Sequence, residues 1–443
     1  MPATRIDVRI GVSGVPVGEL IYDVSGTKET SVFSYHPSFL EHRNRFAISP
    51  DMPLSTAPIY TSKAGNASAL PGPIADSTPD SWGRAIIKTA LGRGNLTDLD
   101  FLLEADDHLR SGALRYFDGP GEGGTPLAPP RRGLRAFSVP KLVDLEQVIA
   151  EARAFEADPV HYRETRAKLI GGEILKDAAG SLGGARPKVN ARDEYGHLWI
   201  AKLAKMDDTY AMARAEVLTL QLAADVGLNV AQARVLSTSQ RFPVALVKRF
   251  DRSATGGRIP LISAQSFMAL PGTEPSTYVD IADRIRTYGS NAMADMAELW
   301  RRMAFSILIQ NADDHLRNHA FLATNGGWRL SPAFDINPDP DERVTLKTAI
   351  SEIHGVEMSV DAAIDAAPFF EINEGDARQE ISAMAKTISA SWRSIGGQLG
   401  MAASDFKAVA PAFESPQMAE AMRLEAPKRS IQAQESDGPG STP

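Results

Sequence analysis

The sequence predicts an α+β protein, and three observations predict it. Near the start, Ile6, Val8, Ile10 and Val12 alternate with Asp7, Arg9 and Gly11, the period of a half-buried strand. Residues 181 to 250 mix a glycine turn, short strands and one strong helix. From Tyr278 onward the pattern is mostly helical; Leu299, Met303 and Ile307 run beside Trp300, Ala304 and Leu308 as one broad apolar face.

The elements follow in order. Val15-Pro16-Val17-Gly18 punctuates the first strand before Leu20-Ile21-Tyr22, and Val32-Phe33-Ser34-Tyr35 reads as another strand. Helices are expected between Asp80 and Leu103. A passage rich in glycine and proline from Asp118 to Pro126, with Pro129-Pro130 behind it, marks a boundary. Beyond it, Leu142, Leu145, Ile149, Ala152 and Phe155 share one face of an amphipathic helix. These signals divide the chain into an N-terminal module (1–117), a linker (118–134), a small lobe (135–250), a helical lobe (251–425) and a disordered polar tail (426–443).

Composition narrows the class. The 443 residues are long enough for two or three structural units, and 43% apolar with 23% charged residues is the balance of a globular protein. A net charge of −8 gives no overall basic footprint for nucleic acid or anionic membrane. With no cysteine, disulfides, thiolate nucleophiles and Cys-ligated metals are excluded. The N-terminus has no signal-peptide core and no run is long enough to span a bilayer, so a cytoplasmic location is expected.

The chemistry concentrates in Asn311-Ala312-Asp313-Asp314-His315-Leu316-Arg317-Asn318-His319 and Leu330-Ser331-Pro332-Ala333-Phe334-Asp335. Asp313 is followed by an amide, Asn318, after five residues and by a carboxylate, Asp335, after seventeen more. Phosphoryl transfer from a nucleotide uses such a set: one Asp orients the attacking hydroxyl and accepts its proton, while an Asn and a second Asp hold Mg²⁺ against the phosphates. The D-x-x-x-x-N spacing is that of kinase catalytic loops, without the preceding His-Arg. Only Asp313 keeps that interval, so Asp314 is not the base. His315 and His319 stand four apart, but no third ligand is evident and a structural role is expected for them. In isolation the pattern is weak, because Asp and Asn are common in loops.

Four upstream features stand in the order a nucleotide site of this kind requires. Ser181-Leu182-Gly183-Gly184-Ala185-Arg186-Pro187-Lys188 offers two glycines that let backbone N–H groups approach an anion, although an ordinary hairpin turn looks the same. Lys202 shares a strand face with Leu198 and Ile200, and an ammonium buried there needs a partner; a surface lysine at a strand end is the plainer alternative. In the helix from Ala211, the stripe Ala213, Val217, Leu220 and Ala224 is bordered by Glu216, which can reach inward to Lys202 or remain a solvated flank. Finally Val244-Ala245-Leu246-Val247 runs into Lys248-Arg249-Phe250-Asp251-Arg252, as a strand entering an adenine hinge, or any loop, would.

The loop from Ser181 to Lys188, the Arg249-Phe250-Asp251-Arg252 tetrad and the two C-terminal motifs together resemble the HipA toxin kinases. Phe33-Ser34-Tyr35 and the segment from Leu70 to Arg84, with Asp76, Pro79, Asp80, Trp82 and Gly83, resemble that family's N-terminal module. The resemblance runs from about Val8 to the last helices. It implies a two-lobed protein-kinase-like fold with a β-rich N-terminal module and a mostly helical C-terminal lobe. It further implies an ATP- and Mg²⁺-dependent serine/threonine protein kinase, the toxin of a HipA/HipB-type toxin–antitoxin pair. Carried over, Lys202 contacts phosphates, Glu216 pairs with it, Asp313 is the general base, and Asn318 and Asp335 hold Mg²⁺. Gly183 and Gly184 cradle the nucleotide, Arg249, Phe250 and Asp251 line the adenine pocket, and Ser181 is the autophosphorylated loop serine. The implied partners are a helix-turn-helix antitoxin of HipB type, DNA indirectly through it, and a translation-related substrate such as an aminoacyl-tRNA synthetase. Lys248 stands where a family member carries Glu. Two rival readings remain: a small-molecule kinase of similar fold, and a non-catalytic co-repressor or interaction scaffold.

Overall fold

The computed structural model describes residues 3–119, 123–127, 139–167, 175–176, 186–270, 275–341 and 343–424. Most of the linker, the loop residues Ser181, Gly183 and Gly184, and the C-terminal tail therefore lie outside the described residues.

Five antiparallel strands build the N-terminal sheet: β1 (Thr4–Ile10), β2 (Val15–Ser25), β3 (Lys28–Tyr35), β4 (Ile59–Ser62) and β5 (Leu114–Phe117), in the order β4-β3-β2-β1-β5. β1 differs from the expected half-buried strand. Ile6 and Val8 enter the core, but Asp7 and Arg9 on the other face are buried as well, because His36 and the Phe117 ring cover them. An Arg9–Asp7 ion pair of 2.6 Å compensates both charges. Val12 falls in the turn and is exposed. Nor does Pro16 or Gly18 interrupt β2. Pro16 lies beside the register shift between Val8 and Arg9, and Gly18 lies so close to β3 that a Cβ would meet the Ser34 carbonyl oxygen at 2.4 Å.

Two helices, Ser81–Leu91 and Asp98–Glu104, follow where helices are expected. The first is capped by Asp80, whose carboxylate accepts from the Gly83 N–H at 2.7 Å. Trp82 and Ile86 of this helix pack not on the N-terminal sheet but into a second core with the Leu145–Ala157 helix and the next sheet. That sheet is β6 (Lys188–Arg192), β7 (Leu198–Lys202), β8 (Ala233–Leu236) and β9 (Val244–Lys248), in the order β6-β7-β9-β8.

The largest core surrounds the Ala292–Leu308 helix, with Leu299, Trp300, Met303 and Ile307 fully buried. The Met212–Asp225 helix belongs to this core, and its buried surface is wider than the expected stripe. Ala215, Leu218 and Leu222 are inside, whereas Ala224 is exposed, because the helix is packed by the Glu374–Gln398 helix as well as by β8 and β9. Interrupting the helical half is a three-stranded sheet, β10 (Leu261–Ser263), β11 (Ala320–Thr324) and β12 (Gly327–Leu330), in the order β10-β11-β12. No described helix is long and apolar enough to cross a membrane.

Candidate active site

β7 alternates sides. Trp199 and Ala201 enter the core behind the sheet, while Ile200 and Lys202 face a cavity of about 860 Å³. The Lys202 ammonium is buried, donating to Glu216 at 2.5 Å and to Asp335 at 2.6 Å. Glu216 is therefore an inward residue of its helix, only 4% exposed, rather than a solvated flank. Burial disfavours the Lys202 charge, but Asp335 and Glu216 overrule it and raise its pKa. For Asp335 burial pulls upward, yet Lys202 and Lys188 hold its carboxyl well below the usual range. Glu216 is pushed up by burial, only partly offset by Lys202.

Asp335 sits on a loop with φ of 56°, a left-handed conformation that costs a non-glycine residue energy unless its surroundings enforce it. The enforcement is visible. Ala333 N–H donates to Asn229 at 2.8 Å, Thr219 Oγ1 donates to the Ile336 carbonyl at 2.5 Å, and Asn337 Nδ2 donates to the Asp335 carboxylate at 3.0 Å. Asn311, first residue of the catalytic-type loop, accepts from Asn337 N–H at 3.3 Å. Gln310 Nε2 donates to the Asp339 carbonyl at 2.9 Å. These bonds tie the two motif-bearing loops together.

Asp313 and Asp314 have opposite environments. Asp313 is exposed and lines the cavity, and its carbonyl accepts from Asn318 Nδ2 at 2.7 Å. Asp314 is buried with its carboxylate 2.7 Å from His319 Nε2, while its carbonyl accepts from the Thr348 hydroxyl. His319 is thus structural, as is His315, whose Nδ1 accepts from the Arg317 N–H. Among the described residues no group of three or more His, Asp or Glu is arranged for a metal. The Leu316–Asn318 segment forms a short 3-10 turn, which carries Asn318 back toward Asp313.

At the hinge, Arg249, Phe250 and Asp251 all border the cavity, and the two charged residues have a second task. Phe250 faces the cavity with Phe334, ring centroids 5.4 Å apart, and Val247 adds to this apolar wall. The polar groups of Arg249 and Asp251 also hold the N-terminal module. Arg249 donates to the Leu109 and Arg110 carbonyls at 2.7 and 3.0 Å and to Asp251, and Asp251 accepts from Gly112 N–H at 2.8 Å. Burial would raise the Asp251 pKa, but Arg249 and Arg252 hold it far below normal.

Residues 8–116 match the HipA N-terminal domain and residues 180–392 the HipA-like C-terminal domain. The chain belongs to the HipA family. Toxin YjjJ of Escherichia coli (strain K12) is 27% identical over 304 residues, which span 64% of this chain and 64% of YjjJ, less than two thirds of that relative's length. A chain of the Shewanella oneidensis MR-1 toxin–antitoxin complex of HipA, HipB and operator DNA superposes with a TM-score of 0.65 at 17% identity, covering 94% of this chain and 96% of that one. That likeness establishes the two-lobed α+β fold of HipA for this chain.

One site residue escaped the sequence reading of this HipA-family chain. Lys188, named there only as the last residue of the glycine-containing stretch, lies directly opposite Lys202 in the β6–β7 ladder and is buried. Like charges so placed repel unless anions intervene. The third Asp of the site, Asp80, approaches Lys188 at 3.7 Å from the N-terminal module. The signal was present in the strand alternation of Lys188, Asn190 and Arg192 against Val189 and Ala191. Arg186 pairs with Asp208.

Proposed function

We propose that this chain is an ATP- and Mg²⁺-dependent serine/threonine protein kinase, acting in the cytoplasm as the toxin of a HipA/HipB-type pair. The observation that supports it best is the Lys202 bridge between Glu216 and Asp335 at the wall of a cavity that also exposes Asp313. A scaffold has no need to bury two lysines beside three carboxylates, since unpaired buried charge is costly. Lys202 supplies positive charge for phosphate oxygens, with Lys188 buried beside it in the ladder, and Phe250 and Phe334 supply an apolar wall for the base. Asp313 receives the proton of the attacking hydroxyl.

The donor set suits a hard divalent cation: an ionised Asp335 carboxylate and the Asn318 amide oxygen, whose Nδ2 is already used on Asp313. When bound, Mg²⁺ neutralises charge on the transferring phosphoryl group. The N-terminal module contributes Asp76, Asp80 and Arg84 to the cavity's lining, and an added module of this kind suits a protein substrate more than a metabolite. By analogy with the family, that substrate is translation-related, such as an aminoacyl-tRNA synthetase. The partner is a HipB-type antitoxin through which DNA is reached, and autophosphorylation of Ser181 switches the enzyme off.

The test is incubation with labelled ATP and Mg²⁺, followed by mass spectrometry of phosphosites on the chain and in a cell lysate. Phosphoserine or phosphothreonine on either is expected, with Ser181 among the sites. No phosphosite, together with no rise in melting temperature over a wide range of Mg²⁺-ATP, would favour the scaffold.

A further inference from the structure

A second cavity, of about 1040 Å³, lies behind the hinge, walled by the N-terminal module, the β6–β7 turn, the segment 248–258 and Val230–Gln232 of the body. Its volume is just above the ~300–1,000 Å³ usual for small-molecule sites. Its charge is one-sided. Arg115, Arg192, Lys248, Arg249, Arg252 and Arg258 line it, and no Asp or Glu does so among the described residues. Two buried carboxylates behind the wall, Asp107 and Asp251, are shared among Arg110, Arg115 and Arg258 and between Arg249 and Arg252 respectively. Arg192 and Lys248 have no ion-pair partner among the described residues. The crowding shows in Arg252, whose pKa burial and Arg249 bring down to about 9, and in Arg258, brought down by burial to about 10 despite Asp107. A concave basic wall concentrates anions.

The rim adds flat aromatic surface. Tyr195 is 79% exposed on the β6–β7 turn, with the His197 ring 6.3 Å away at 47°. Cations beside a free aromatic face are the pair of features that hold a phosphate and a base together. We propose that this cavity is a second ligand site, distinct from the catalytic cleft, that takes a nucleotide, free or at the end of a single-stranded nucleic acid. Arg192 and Lys248 engage its phosphates and Tyr195 stacks on its base. Lys248 and Phe250 border both cavities, so occupancy here reaches the hinge directly. The inference stands on its own lining residues and does not require the chain to be a kinase.

The experiment uses the full chain. GTP, inorganic tripolyphosphate and an eight-nucleotide oligothymidylate are titrated calorimetrically into wild type and into the Arg192→Glu/Tyr195→Ala variant, and 8-azido-GTP is photocrosslinked and the labelled peptide mapped. The expected result is GTP or oligothymidylate binding that weakens with salt, exceeds tripolyphosphate, falls about tenfold or more in the variant, and labels the Tyr195 peptide. Tighter GTP assigns a free nucleotide, and tighter oligothymidylate a nucleic-acid end. An unchanged melting temperature shows that the variant is folded; should it misfold, Lys248→Ala with the same titration replaces it. Equal binding by wild type and variant, equal binding of tripolyphosphate, or label confined to the catalytic cleft overturns the proposal.

Discussion

Two buried ion clusters border the same cavity, and they differ in what remains free. At Lys202, Glu216 and Asp335 one ammonium is shared between two carboxyl groups. One Asp335 oxygen is committed to Lys202 and Asn337, and the side chain keeps 25% exposure toward the cavity. At Arg249, Asp251 and Arg252 the guanidinium groups are filled by carboxylate and carbonyl acceptors from both the hinge and the N-terminal module. In the proposed kinase the first cluster is the one placed to exchange a partner for a phosphate or a metal. The second can only break. Both arise from motifs of the same family resemblance, so a shared motif does not by itself separate chemistry from assembly.

The largest expected effect lies in the adjacent acids of the catalytic-type loop. Asp313→Asn is expected to lose ~10²–10⁴ in phosphoryl-transfer rate with an unchanged melting temperature. Asp314→Asn should cost far less in rate and instead lower the melting temperature, because Asp314 is buried against His319. An active Asp313 variant beside a dead Asp314 variant would reverse the assignment.

Next in size is the assembly cluster. Arg249→Ala leaves the Asp251 charge buried with one partner fewer, a change that typically costs about 3–5 kcal/mol. Denaturant unfolding should show that loss. A drop below ~1 kcal/mol would mean that the hinge does not hold the N-terminal module.

Asn318→Ala and Asp335→Ala are expected to remove the melting-temperature rise given by Mg²⁺-ATP, worth about 2.7 kcal/mol at a hundredfold excess over Kd. Retention of the full rise in both variants would move the metal site elsewhere.

The smallest effect concerns pH. Burial raises the Asp80 carboxyl to about 6 from its ordinary 3.8, although Lys188 and the Gly83 N–H pull it down. The folded state thus binds this proton more tightly than the unfolded chain, so Asp80's contribution is full below about 4 and is lost as pH rises through about 6. Two units correspond to on the order of 3 kcal/mol at most. Asp80→Asn should flatten stability against pH across that window; an unchanged slope would show that Asp80 does not titrate there.

Periodicity found the apolar face of the Ala292–Leu308 helix and the Leu145–Ala157 helix because both are one-sided, and one-sided burial leaves a repeat in the sequence. It misjudged β1, where a second layer covers the polar side and leaves Asp7 and Arg9 inside, and the stripe of the Met212–Asp225 helix, where Ala224 is exposed; it left the place of Glu216 open. Lys188 was passed over because the acids that make its burial tolerable come from positions 80 and 335.

By itself the sequence determined the residue types, their order and the local spacing: Lys202 on a strand, Glu216 on a helix, Asp313 five residues before Asn318. Those are short-range properties of backbone period and turn length. Only the tertiary structure decided which of two neighbouring acids faces the cavity, that Lys188 stands across from Lys202, and that Arg249 and Asp251 serve assembly. Asp314 is claimed by His319 and Thr348, Lys188 is placed by strand register, and Arg249 finds partners more than a hundred residues away; charge burial is settled by whichever partners the fold delivers.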